Sequence, residues 1–260
     1  MSRTGTLLGT NRPYEVPPSI GQVRLIVTDN AARAQTAVGA FMQQSPARIG
    51  LRIAGGCSGM DEAARVDMLD YFRTALGRYT GFLSSGATRS VQGRQISPMV
   101  TDVPAVVARH RGERVLTVST APRTGNMALT GDSRLVLDIE NGVYPQPGVH
   151  MIVLFQPQFA HQRLEWDGDV DGAFGLFDAY AKTGWPFGLV IWNGGGVTKK
   201  EALLAARLGW HVFLVEGSGR VADELVGTVR TRQIRGKFSI VQRADPTTLS
   251  DALARHGFIA

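Results

Sequence analysis

The sequence has little of several things, and each shortage narrows the reading. Its one cysteine, Cys57, cannot form an internal disulfide, so a disulfide-stapled scaffold is excluded. No apolar run is long enough to cross a bilayer as a helix, and the N-terminus MSRTGTLLGTNRPYEVPPS has no apolar segment of the signal-peptide kind. The expected setting is therefore a soluble protein of the cytoplasm, with no membrane partner. Only 19 % of residues are charged, and there is no low-complexity tract and no internal repeat. His150 and His161 have no cysteine or acidic companions at metal-ligand spacing, so no metal site is expected, and buried or half-buried imidazoles are the better expectation.

What is present is 43 % hydrophobic residues spread over 260 positions, enough for a large core in one α/β domain. The net charge is +6, from 28 Lys and Arg against 22 Asp and Glu. That excess admits nucleic acid, acidic lipid or a polyphosphate ligand. The arginines are scattered, and the densest stretch, Arg230 to Lys237, lies in no helix-turn-helix, zinc-finger or RNA-recognition pattern. A solvated basic face is expected, with basic-surface nucleic-acid binding kept as an alternative.

The chain is organised around Pro186 to Asp223, PFGLVIWNGGGVTKKEALLAARLGWHVFLVEGSGRVAD. Leu189, Val190 and Ile191 are a continuous apolar run ending in Asn193-Gly194-Gly195-Gly196. Val212 to Val215 repeat the design and end in Gly217-Ser218-Gly219. Upstream, Ile49 to Ala54 runs into Gly55-Gly56-Cys57-Ser58-Gly59, and Gly81 to Ser84 into Ser85-Gly86-Ala87-Thr88-Arg89-Ser90. Strands are also expected at residues 23–27, 114–118, 150–155 and 238–241. Helices are expected at 31–41, along the stripe Met60, Ala63, Ala64, Met68, Phe72, Ala75, Leu76 and Tyr79, and at 97–110, 171–182 and 220–229, with a closing helix capped by Asp245 before Pro246. Residues 1–20 are expected to be an extended arm, residues 21–260 one domain, and residues 121–148 a loop or excursion over the site. Alternating strands and helices predict a Rossmann-like three-layer α/β fold, a mostly parallel sheet with helices on both faces.

Four small-residue turns after strands should open on one sheet edge, where backbone amides and helix N-termini favour a phosphate-bearing ligand. The candidate ligand-binding residues are Gly55, Gly56, Ser58, Gly86, Thr88, Gly194, Gly195, Gly196, Thr198, Gly217, Ser218, Gly219 and Arg220. Arg220 can pair bidentately with phosphate, or simply face solvent, and the hydroxyls can serve as helix caps. Glu201 can face a ribose or an oxocarbenium-like centre, or complete a capping box with Thr198. The match of Gly217 to Ala222 to G-x-G-x-x-G/A lies too near the C-terminus for a nicotinamide dehydrogenase fingerprint. Cys57 is expected to be a small residue tolerated in a turn.

The run WPFGLVIWNGGGVTKKEALLAARLGWHVFLVEGSGRVADEL resembles the SLOG superfamily, and within it the SLOG-in-TRPM (LSDAT) family of the prokaryotic stand-alone type. The Gly217 to Asp223 element carries most of the likeness. Ala54-Gly55-Gly56, Ser85-Gly86-Ala87-Thr88 and the strand from His150 to Leu154 fit in order, over about residues 22–243. The resemblance implies a Rossmann-like domain that binds a nucleotide-derived ligand such as ADP-ribose or an NAD relative, with no cofactor required. Related folds pair as dimers, so a homo-oligomer is expected, along with an effector protein that reads out the bound state. Another branch, the LOG-type phosphoribohydrolases, carries Pro-Gly-Gly-x-Gly-Thr-x-x-Glu. This chain keeps Gly194, Gly195, Thr198 and Glu201 but has Asn193 for the proline and Val197 for the third glycine. A nucleotide N-glycosidic hydrolase using Glu201 as its catalytic carboxylate is thus the enzymatic alternative to a ligand sensor.

Overall fold

The computed structural model describes residues 3–6, 13–16, 24–28, 31–56, 60–86, 88–92, 95–96, 102–122, 128–129, 135–136, 141–143, 150–155 and 167–259. Eight strands form the central sheet: β1 (Arg24–Thr28), β2 (Gly50–Gly56), β3 (Gly81–Gly86), β4 (Val115–Pro122), β5 (Met151–Phe155), β6 (Phe187–Asn193), β7 (His211–Glu216) and β8 (Lys237–Gln242). Between them run α1 (Ala31–Met42), α2 (Glu62–Ala75), α3 (Asp102–Arg111), α4 (Val170–Ala181), α5 (Gly196–Arg207) and α6 (Arg220–Arg230), and α7 (Thr247–Arg255) follows the last strand. The spatial order is β8-β7-β6-β2-β3-β4-β5-β1, and every neighbouring pair is parallel. The expected three-layer Rossmann-like fold is what the chain adopts.

A parallel sheet covered on both faces needs apolar residues on both sides of each strand. In β6, Leu189 and Ile191 point to the layer holding α1, α4, α5 and α6, while Val190 and Trp192 point to the layer of α2, α3 and α7. That is why the strand reads as a continuous run rather than an alternation. Each fully buried large apolar side chain contributes roughly 1.5–3 kcal/mol of transfer free energy. In α2 the Asp61 carboxylate accepts the Ala64 N–H at 2.8 Å and starts the helix, and Met68, Tyr71, Phe72 and Ala75 give it a buried face. The helix stops at Ala75, short of the expected stripe. Leu76 is its C-cap, and the Tyr79 hydroxyl turns back to donate to the Phe82 carbonyl.

Strand order creates one reversal. From β2 the chain steps outward through β3, β4 and β5, then returns to the other side of β2 with β6 and steps away through β7 and β8. Right-handed crossovers taken in opposite directions put α2 and α5 on opposite faces, so the chain leaves the carboxyl ends of β2 and β6 in opposite directions while the two strands stay paired to Gly56 and Asn193.

Two expectations are corrected. The small-residue turn expected over Ser85 to Ser90 gives way to a strand, Thr88–Gln92, paired antiparallel with Asn141–Val143 in a small second sheet that also holds 95–96, 128–129 and 135–136. The excursion is therefore partly stranded. Within residues 1–20, Arg3–Thr6 pairs antiparallel with Pro13–Val16. The closing helix begins one residue late, at Thr247, whose N–H and hydroxyl both donate to Asp245 Oδ1. Among the described residues no helix is long and apolar enough to cross a membrane.

Gly81 opens β3 at φ +140°, and a Cβ there would lie 2.7 Å from the Ile49 carbonyl oxygen, which accepts the Phe82 N–H. Gly112, at φ +58°, has open space around it. Replacement of Gly81 by Ala should cost about 2–4 kcal/mol, from strain and overlap together, and of Gly112 by Ala about 1 kcal/mol. Urea unfolding of the two variants measures the difference.

Candidate functional site

The candidate site is assembled from three strand ends. Asn193, the last residue of β6, sits at φ +56°, and Gly194 follows at φ +102°. A Cβ on Gly194 would lie 2.6–2.7 Å from the Thr198 side chain, so only glycine fits. A Cβ on Gly56 would meet the Gly194 Cα at 3.3 Å, so the ends of β2 and β6 approach backbone to backbone. Asn193 locks them: its Nδ2 donates to the Gly56 carbonyl at 2.9 Å, and its N–H donates to Ser218 Oγ at 2.9 Å. The Ser218 hydroxyl in turn donates to the Val215 carbonyl at 2.6 Å, joining β7 to the pair.

The turn after β7 is tied by its own helix. Asp223, in the first turn of α6, accepts Gly217 N–H at 2.7 Å and Gly219 N–H at 3.1 Å. Asp223 therefore caps a helix, and those two amides are taken. Gly219 at φ +105° and Arg220 at φ +45° complete the turn. A left-handed arginine costs of the order of 1–3 kcal/mol, and such cost concentrates at ligand sites. The Arg220 side chain is exposed and makes no hydrogen bond or ion pair among the described residues. A Cβ on Gly195 would lie 3.4 Å from its Nη2, so the guanidinium lies over the first turn of α5. There Gly195 N–H reaches Thr198 Oγ1 at 3.4 Å, while the amides of Gly196 and Val197 point out of the helix end with no partner in the helix.

Between these pieces lies a cleft of about 230 Å³ lined by Met60, Ala64, Trp192, Asn193, Ser218, Gly219, Arg220 and Arg243. Among the described residues, no carboxylate is in that lining. Of the residues expected from the sequence, the structure gathers Gly55, Gly56, Gly194, Gly195, Gly196, Thr198, Gly217, Ser218, Gly219 and Arg220 at the carboxyl ends of β2, β6 and β7. Gly86 ends β3, on the far side of β2 from β6, and Thr88 lies in the strand beyond it. Ser58, Cys57 and His161 lie outside the described residues. His150 is half-buried, with Nδ1 accepting the Thr117 N–H at 3.2 Å, and burial lowers its pKa.

Glu201 is turned away from the cleft. It is 5 % exposed, and its Oε1 accepts Nε and Nη2 of Arg52 at 2.9 and 2.7 Å. Arg52, 2 % exposed on β2, also donates from Nη1 to Ser84 Oγ and Thr120 Oγ1 at 3.2 and 3.3 Å, and lies 5.7 Å from the Phe174 ring centroid. Thr120 passes its own hydrogen to Asp169 Oδ2 at 2.7 Å, and Asp169 is 6 % exposed. Two buried carboxyls thus share one guanidinium. Burial pushes both pKa values up, Arg52 opposing it at each.

The sequence reading missed Arg52, Asp169, Arg243 and the stapling role of Asn193. The signal for Arg52 was present: a charge inside an otherwise apolar strand has to find a buried partner.

No family model matches the chain, and no curated protein does. Among solved structures, the X-ray structure of TM1055, a structural-genomics target, is similar. It shares 17 % identity, the match covers 80 % of this chain and 99 % of that one, and the TM-score is 0.45. So remote a likeness says nothing about activity.

Two outcomes are expected for the buried network. Replacing Glu201 by Ala strands the Arg52 charge in the core and should cost about 3–5 kcal/mol in denaturant unfolding. A carboxyl whose pKa is higher folded than unfolded holds its proton more tightly in the folded state. Its stabilising contribution is present below the unfolded value, about 3.9 for Asp, and is lost as pH rises through the folded value. Wild type should therefore lose stability relative to Asp169→Asn as pH is raised from 4 to 8, read from urea midpoints at each pH.

Proposed function

We propose that the chain binds a phosphate-bearing, nucleotide-derived ligand at the carboxyl ends of β2, β6 and β7, as a ligand-sensing member of the SLOG superfamily of the LSDAT type. The observation that carries this is Arg220, an exposed cation without a partner among the described residues, held at φ +45° over the open N-terminus of α5. Free amides and the positive end of the helix dipole favour an anion there, and a guanidinium adds two parallel hydrogen bonds. The place is the strand-order reversal of an open parallel sheet, where ligands of such folds bind.

An adenine nucleotide, ADP-ribose or an NAD relative is the ligand class that the SLOG resemblance suggests. Binding without turnover is the reading these residues favour. Glu201, the carboxylate an N-glycosidase of LOG type would depend on, is consumed by Arg52 and is not among the residues lining the cleft. A sensor needs a protein that reads it, and an effector or a second copy of the chain fills that role in this proposal.

Thermal unfolding with AMP, ADP-ribose, NAD and cyclic ADP-ribose, each mixture then assayed for released base, tests the proposal. A ligand at a hundred times its dissociation constant adds about 2.7 kcal/mol, a shift of roughly 5–10 °C for a chain of this size. A shift with no released base is expected. Arg220→Ala should weaken binding roughly 10- to 100-fold, the worth of lost charge-assisted hydrogen bonds. Released base would restore the hydrolase, and no shift with any ligand would move attention to the basic surface and salt-dependent binding of nucleic acid.

A further inference from the structure

The cleft is small for what it is proposed to hold. Drug-sized ligands occupy pockets of about 300–1,000 Å³, and the space beside Arg220 is about 230 Å³. A second cavity of about 400 Å³ adjoins it, lined by Asp67, Glu216, Gly217, Gln242, Arg243 and Ala244. Arg243 lines both. With the turn from Gly217 to Gly219 it forms the wall between them.

The guanidinium of Arg243 is held in three ways. It lies 5.7 Å from the Trp192 ring centroid, its Nη1 donates to the Gly217 carbonyl at 3.3 Å, and its Nε and Nη2 both donate to Asp67 Oδ2, at 3.0 and 2.7 Å. The Asp67 pair is the weak member. Both side chains are about half exposed, a class of ion pair that contributes little, and one carboxylate oxygen serves two nitrogens. A phosphate offers a separate oxygen to each nitrogen and makes the better bidentate partner. The cation–π contact with Trp192 would keep the guanidinium in place while the partner changes.

We propose that Arg243 is a specificity residue that exchanges Asp67 for the second phosphate of a diphosphate-linked ligand, so that the ligand spans both cavities with its diphosphate between Arg220 and Arg243. This rests on the proposed nucleotide site, whose diphosphate-linked ligand class the SLOG resemblance already suggests, and it assigns to Arg243 the preference of that site for such a ligand over a mononucleotide. Among the described residues, two cations and no carboxylate line the first cavity, which suits two anionic groups, and the second cavity leaves room for the further group.

The test is calorimetric titration of the full chain with AMP and with ADP-ribose, in wild type, Arg243→Gln and Asp67→Asn, reading the ratio of the two dissociation constants. Wild type should prefer ADP-ribose by at least about tenfold. The ratio should fall to near one in Arg243→Gln and rise in Asp67→Asn, where the competing charge is gone. Equal affinity of wild type for both ligands, or a wild-type ratio retained in Arg243→Gln, overturns the role of Arg243 and leaves the Arg220 site standing. A ratio that falls in Asp67→Asn overturns the exchange. Binding of neither ligand to wild type overturns both proposals. Asp67 is exposed, so Asp67→Asn keeps the test decisive even where Arg243→Gln perturbs folding.

Discussion

The buried pair of Arg52 and Glu201 is the interaction on which the architecture of the carboxyl edge depends. Arg52 stands in the strand at the strand-order reversal, Glu201 one turn inside the helix that leaves the neighbouring strand. Through Ser84 and Thr120 the same guanidinium reaches β3 and β4, and through Thr120 it reaches Asp169 at the start of α4. One side chain therefore sets the heights of two helix N-termini against three strands. A pair this deeply buried gains little net stability over an apolar replacement of the same shape, but removing one partner leaves an uncompensated charge in the core. Its value is positional, since the open amides of α5 stand where they do because Glu201 is pinned beneath them.

Above that anchor the site is made chiefly of backbone. Asn193 fastens three strand ends with its side-chain amide and its N–H, Gly56 and Gly194 let two of them touch, and Asp223 fixes the turn that carries Arg220. The hydroxyls of Ser218 and Thr198 are engaged within the same scaffold. Among the described residues, the first amides of α5 have no partner in the helix and Arg220 has no hydrogen-bond partner, while Arg243, in the same cleft lining, is paired with Asp67.

The sheet and its order of elements were legible because parallel strands buried on both faces read as short apolar runs, and because glycine clusters punctuate their carboxyl ends. Val190 and Trp192 facing one layer while Leu189 and Ile191 face the other is the physical content of that pattern. The turns at Gly55, Gly194 and Gly217 were correctly read as meeting at one edge. The fourth, at Gly86, was misread, because small residues after a strand mark a bend without saying whether helix or strand follows. Roles that depend on long-range partners were not legible. Glu201 in a Thr-x-x-Glu spacing looks the same whether it faces a ligand, a helix cap or Arg52, which lies 149 residues away in the chain. Arg243, beside Trp192 and Asp67, has no local pattern at all.

The backbone at Arg220 has a consequence for how such a protein drifts under mutation. A left-handed φ next to a glycine is a position where glycine would relax the chain and lower its free energy. Selection for fold alone would let arginine there give way to glycine, and a search for stabilised variants would find the same change. The site thus sits on a gradient along which thermostability and charge are traded, and a thermostabilised descendant that has lost the arginine would keep its shape and forfeit the cation proposed here as the anion's partner.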